Sequence, residues 1–303
     1  RWRMRLRLRL GAEVEMGDGW TAGLRIATGE NNSPVSTNQS VGLANQGSGG
    51  NFSKYALWLD RAFIRWDYGD DPDRRVSFNF GRTDNPFHNT DLIFDEDLGF
   101  DGISVSARYS LGERFTPFFT AGLFPIFNTD LNFSTNQPSK FESSDKWLYG
   151  AQIGFDVKPA KDIEARFALG YYDFDGAEGK LSDPYTPLTA QDAGNTDNTR
   201  PSFAQKGNTY MALRNIIPSA ANNFGTTGQW QYFGLATPYR NLTFTGRVDL
   251  NHWEPYQISV IGEVVKNLEW ERGAINPIAV NNRGPNGIDG TTGAYDGGDL
   301  AWM

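Results

Sequence analysis

The chain of 303 residues contains no cysteine and only two histidines, His88 and His252. The first absence excludes disulfides, thiolate metal sites and a cysteine nucleophile. The second leaves little for zinc chemistry or a histidine-based triad, and both histidines fall in turn-like sequence. Carboxylate acid–base chemistry stays open on these grounds. No run of about 18 apolar residues occurs, so a transmembrane helix is not encoded. No Gly-rich phosphate loop stands between a strand and a helix. The net charge of −8 disfavours nucleic acid as a partner. Mean hydropathy is −0.52, yet this does not oppose a membrane location, because a β-barrel hides its apolar surface in every second residue.

The first stretch shows that alternation. From Arg1 to Met16 the odd positions run Arg1, Arg3, Arg5, Arg7, Arg9, Gly11, Glu13, Glu15, and the even positions Trp2, Met4, Leu6, Leu8, Leu10, Ala12, Val14, Met16. Period 2 puts charge on one face of a β-strand and apolar groups on the other. Strands of soluble proteins run about 5–6 residues. Sixteen residues tilted by ~45° rise ~38 Å, more than the ~25 Å apolar band of an outer-membrane barrel. A long half-exposed strand of a soluble sandwich is the competing reading.

The same alternation recurs along the chain. Gly17-Asp18-Gly19 makes a tight turn into Trp20 to Thr28. Further strands are expected over 55–68, 76–81, 103–109, 115–123, 147–157, 163–171, 242–250 and 256–268, and Leu300 to Met303 opens another. In 55–68 the faces are mixed, which a bulge or an exposed upper end would explain. Connections alternate short and long throughout, the pattern of short periplasmic turns and long external loops. Trp20, Trp66, Tyr68, Tyr109, Phe115, Tyr171 and Tyr256 lie near strand ends, as interfacial girdles require. Glycine clusters at Gly47 to Gly50 and Gly290 to Gly298 read as flexible turns.

The expected fold is therefore all-β, a single transmembrane antiparallel up-and-down barrel over 1–303. Because the first strand descends into a short turn, at least one strand should precede it and the last should continue. The chain then reads as an interior segment of a barrel of ~14–18 strands.

The polar face collects Arg3, Arg5, Arg7, Arg9, Arg25, Arg65, Arg108, Arg166 and Arg247. These either hold the wall and balance acidic loops, or form a basic lumen wall that sets the field for permeating solutes. Segment 82–102 carries Asp84, Asp91, Asp95, Glu96, Asp97 and Asp101, interleaved with Phe87, Leu92, Ile93, Phe94, Leu98 and Phe100. That is too apolar for a loop in water, so the segment is expected to fold inward and narrow the pore; an external loop packed on its neighbours is the alternative. Asp95, Asp97 and Asp101 are a weak Ca²⁺ candidate without EF-hand spacing. The segment 173–238 reads as a long extracellular loop or a plug.

Several segments resemble an outer-membrane family known as putative porins: Arg5-Leu6-Arg7-Leu8-Arg9-Leu10-Gly11, Ala27-Thr28-Gly29 with Ser33-Pro34-Val35-Ser36-Thr37-Asn38-Gln39, and Leu59-Asp60-Arg61-Ala62-Phe63-Ile64-Arg65-Trp66. The resemblance continues through Gly81-Arg82, Asn85-Pro86-Phe87, Thr90-Asp91-Leu92, Asp95-Glu96-Asp97 and Phe203-Ala204-Gln205-Lys206-Gly207-Asn208. It implies a β-barrel channel in a Gram-negative outer membrane and hands over no substrate.

The function expected is a diffusion channel for small hydrophilic solutes and ions, with no chemistry and no cofactor. Its surroundings would be outer-membrane lipid and lipopolysaccharide, with homo-oligomerisation, for instance as a trimer, left open. A non-conducting scaffold or sheath for a partner is the alternative. An outer-membrane enzyme ranks below both, since only His88 and His252 could serve a nucleophile.

Overall fold

In the computed structural model, the residues described are 2–30, 36–42, 54–128, 141–202, 205, 207–225, 228–253, 255–283 and 293–303. Gly47 to Gly50, Ser33 to Val35, Phe203-Ala204 and Lys206, named above, lie outside them, as do Arg1 and residues 290–292. The strands in chain order are β1 (Arg5–Leu6), β2 (Arg9–Gly17), β3 (Trp20–Ala27), β4 (Gln39–Ser40), β5 (Trp58–Asp71), β6 (Arg74–Asp84), β7 (Gly99–Tyr109) and β8 (Phe115–Phe127). They continue with β9 (Lys146–Ala160), β10 (Ile163–Asp175), β11 (Tyr210–Ala212), β12 (Phe233–Leu235), β13 (Tyr239–Trp253), β14 (Tyr256–Asn267) and β15 (Leu300–Trp302). One helical turn, α1, covers Arg272–Ile275. No helix among the described residues is long and apolar enough to cross a membrane.

One antiparallel sheet of eleven strands dominates, in the order β15-β14-β13-β10-β9-β8-β7-β6-β5-β3-β2. Each strand pairs with its sequence neighbour in the sheet, and β2 does not pair with β15. Connections 18–19, 72–73, 110–114, 161–162 and 254–255 are short, and 28–57, 85–98, 128–145, 176–238 and 268–299 are long. The alternation expected from the sequence holds. At the first short turn Gly17, Asp18 and Gly19 all take positive φ (88°, 52° and 80°), which two glycines adopt without a Cβ penalty.

The sixteen-residue first strand is corrected. Its ladder with β3 covers only β2, because β3 ends at Ala27. Higher up, Arg5 and Leu6 take new partners, Ser40 and Gln39, from the returning connection. The mixed faces of 55–68 resolve as a bulge: Arg25 opposes Arg61 while Ile26 opposes Leu59, leaving Asp60 as the extra residue. Asp60 and Arg61 are consequently both buried, at 9% and 3% exposure, whereas Leu59 is exposed.

One face of the sheet is apolar and open. Leu24, Ile64, Phe80, Ile103, Phe119, Ile153, Leu169 and Phe244 are all exposed there. Phe115, Phe155, Phe167 and Phe244 form a row of neighbouring rings, with centroids 5.5, 5.5 and 6.3 Å apart. A continuous apolar face of this width lies outside what water-soluble monomers expose.

The opposite face holds the polar residues and a packed core. Phe87, Phe94, Phe100, Phe124, Leu148 and Tyr172 form one buried cluster. Three of these come from 82–102, so that segment lies against the sheet. Gly150 makes room for it: a Cβ there would stand 2.6 Å from the Phe87 ring. A second cluster, Met211, Ala236, Ile275, Ala279 and Tyr295, joins the connections 176–238 and 268–299 to each other.

Candidate functional site

The candidate site is the charged inner face together with the segment lying on it. β6 runs on to Asp84 and β7 starts at Gly99, so the irregular segment is 85–98, narrower than the expected 82–102. Asp84 and Asp101 therefore sit in strands.

The segment is fastened at several points by groups of complementary type. The His88 N–H donates to Gln152 Oε1 at 2.8 Å, and Gln152 Nε2 donates to the His88 carbonyl at 2.7 Å. Thr90 donates through Oγ1 to buried Glu263 at 2.6 Å, and Thr245 donates to the other Glu263 oxygen at 2.7 Å. At the far side, Arg9 Nη2 meets Asp97 at 2.7 Å and Arg7 approaches the same carboxylate at 3.7 Å. Glu263 belongs to β14 and Arg9 to β2, near opposite ends of the strand order. One short segment touching both requires the sheet to curl around it.

The structure brings most of the nine arginines to carboxylates. Arg25 bonds Asp60 (2.5 Å) and Asp84 (3.0 Å). Arg65 lies 3.1 Å from Asp67 and 4.0 Å from Glu13. Arg108 and Arg166 share Asp156, at 2.7 and 2.5 Å, and Arg247 holds Asp249 at 2.9 Å. Arg3 and Arg5 are exposed and have no ion pair among the described residues. A bare basic wall is thus not what the face presents; it is a wall of arginines with carboxylates between them.

The acidic set divides. Asp84 and Asp97 meet arginines as described. Asp95 accepts the Asp97 N–H at 2.9 Å, a local turn contact. Asp91 and Glu96 are exposed and without an ion pair among the described residues. Asp101 stands apart: it opposes Arg82 in register, at 2.5 Å, on the row that continues Ile103 rather than the row of Phe100. With Asp97 and Asp101 each on an arginine, the Ca²⁺ candidate does not assemble; among the described residues no three ligating side chains converge.

Sequence reasoning missed Asp60, Arg61, Asp67, Asp156, Asp249 and Glu263. The last four carried a signal, since each shares strand parity with an arginine or a polar residue assigned to that face. Asp60 and Arg61 depend on the bulge, which the sequence left open. Arg61 bonds Asp84 through Nε at 2.6 Å and its own neighbour's carbonyl, Asp60 O, at 2.7 Å.

His88 reports the local environment. Burial, then the Arg166 guanidinium, pushes its imidazole down to about 4; Asp156 acts against this and Arg247 adds to it. The sign follows. Above the ordinary value near 6.5 the imidazole is neutral whether the segment is packed or released. Between there and about 4, only the released segment takes up the proton, so packing weakens as pH falls, and the loss levels off below about 4. Limited proteolysis of the segment is expected to accelerate from pH 6.5 to 4, and His88→Gln to flatten that profile; equal acceleration in the variant would assign it to another group.

The family described as "Putative porin" matches residues 1–303. No curated protein matches the chain. Among solved structures, an anion-selective porin from Comamonas acidovorans aligns over 96% of this chain and 55% of its own, at a TM-score of 0.40 and 11% identity. The chain thus spans about half the length of that porin. Matched from end to end by one family, this all-β chain belongs to the putative porins.

Proposed function

We propose that the chain forms the wall of an outer-membrane β-barrel channel through which small hydrophilic solutes and ions diffuse, with segment 85–98 as its constriction. The observation that carries this reading is the two-sided sheet: an open apolar face outside, and inside a charged face with an aromatic-anchored segment lying across it. An apolar face of this kind suits hydrocarbon, and aromatic rows suit its edges. Lipid also requires a closed barrel, since strand edges in hydrocarbon leave backbone groups unsatisfied at several kcal/mol each. The segment's simultaneous grip on β2 and β14 supports that closure. The work of such a site is electrostatic and steric; it positions charges along a water path and transforms nothing.

Planar-bilayer recording on the full chain tests this. Steady unitary conductance is expected, without added cofactor. A folded, heat-resistant protein that stays silent in the bilayer would instead favour the scaffold reading. That second reading draws on one observation, the mutual packing of 176–238 and 268–299 into an ordered unit with its own core.

A further inference from the structure

On the inner face, two arginines stand directly opposite each other in register at three places: Arg25 with Arg61, Arg75 with Arg108, and Arg166 with Arg247. Like charges directly opposite destabilise a strand pair, so each needs compensation. Arg25 and Arg61 share Asp60 and Asp84. Arg75 approaches Asp67 at 3.6 Å, while Arg108 turns to Asp156 and, at 3.6 Å, Asp73.

Arg166 and Arg247, like Arg75 and Arg108, share no carboxylate; what sets them apart is that both act on His88 of the segment. Arg166 takes Asp156, its cross-strand neighbour on β9, with Nε and Nη2. Arg247 takes Asp249, on its own strand, with Nε alone. Nη1 of Arg166 and both Nη groups of Arg247 have no acceptor among the described residues, and the side chains remain 40% and 45% exposed. A guanidinium with a free edge offers a planar fork to a carboxylate or phosphate. Both arginines also act on the His88 imidazole, where burial is the larger cause of its low value and Arg166 weighs more than the opposing Asp156.

We propose that Arg166 and Arg247 form an oxyanion subsite in the lumen beside His88, which takes the carboxylate or phosphate group of passing solutes and gives the channel an anion preference. This rests on the channel reading. The groups opposing the preference are Asp91 and Glu96, the exposed acids of the segment, and the reversal potential weighs the two sets against each other.

The test is bilayer recording of the full chain under a KCl gradient. The parent should favour chloride, and the double substitution Arg166→Gln, Arg247→Gln, which removes two charges, should lower the chloride-to-potassium permeability ratio by about fivefold or more, fivefold being the scale of one unit charge acting over a few ångströms in water. Inorganic phosphate and succinate, added separately, should each reduce the chloride current in the parent and not in the double variant. Block by one of them alone would support the subsite and identify its oxyanion. Arg247→Lys keeps the charge but not the fork, so it should retain the ion preference and lose most of the block. A conducting parent that prefers cations overturns this proposal alone, as does an unchanged ratio in a double variant that runs heat-resistant like the parent. A folded parent that conducts nothing overturns it together with the channel reading.

Discussion

Phe87→Ala combined with Phe94→Ala is expected to raise unitary conductance severalfold while leaving the sheet folded. Both rings are buried, and they meet Tyr172 at centroid distances of 5.0 and 5.1 Å. Phe94 also stands edge-on to Phe100 at 5.3 Å. Truncating a buried phenylalanine costs about 3–5 kcal/mol, and two in one cluster remove most of the segment's apolar anchorage. What remains is Ile93 and Leu98 at the edge of the cluster and three polar contacts: Gln152 on His88, Glu263 on Thr90, and Arg9 on Asp97. Such bonds net only about 1 kcal/mol each, rather more when charged, and compete poorly with water once the core has gone. The released segment should then be cleaved by protease near Asn89, and the folded protein should still resist heat as a band on gels. Cleavage without any rise in conductance would show that 85–98 does not limit flow.

Arg214→Ala carries the second large effect, in the unit formed by 176–238. Arg214 is buried, with its side chain 1% exposed, and grips Asp197 through Nε at 3.1 Å and Nη2 at 2.6 Å. Its Nη1 donates to the Trp230 carbonyl at 2.9 Å, and its guanidinium lies 3.8 Å over the Tyr232 ring. Removing one partner of a buried ion pair costs about 3–5 kcal/mol, because the other charge is left without compensation. The unit has one small core and few other ties to the sheet, notably Lys146 Nζ donating to the carbonyls of Thr199 and Arg200 at 3.0 and 3.1 Å. Local unfolding is therefore expected: rapid proteolysis within 176–238 with the sheet intact. Conductance sorts the two roles of this unit. A rise on cleavage marks it as a plug, and no change marks it as a structure beside the pore. Resistance of the variant equal to the parent's would show that the Arg214 pair does not hold the unit together.

The parts of this architecture that were legible in the sequence are those set by period 2. Trp147 to Val157 and Ile163 to Tyr171 show their faces plainly, because one side of each strand is uniformly apolar. That 82–102 packs on the sheet was readable from Phe87, Phe94 and Phe100, since three phenylalanines in a connection need a core. Illegible features depended on residues far away. Glu263 is an ordinary carboxylate in a strand until Thr90, 173 positions earlier, is placed on it. The compensation of the arginines was hidden likewise: Asp156 and Asp249 are local neighbours in the alternation, but which arginine each one meets is decided by register. The division of the first strand followed from the length of β3, a property of its partner.

The bulge in β5 also fixes where that strand tolerates a change of length. Asp60 is the residue without an opposite number, so its removal leaves Leu59 still opposite Ile26 and Arg61 still opposite Arg25. Loss of Arg61 would close the bulge equally, with Asp60 opposite Arg25, whereas loss of a residue between Ala62 and Arg65 puts one flank out of phase, turning apolar side chains to the charged face and charged ones to the apolar face. Length variation in β5 is thereby channelled to the step from Asp60 to Arg61, where the strand can lose a charged residue beside Arg25 without exchanging its two faces.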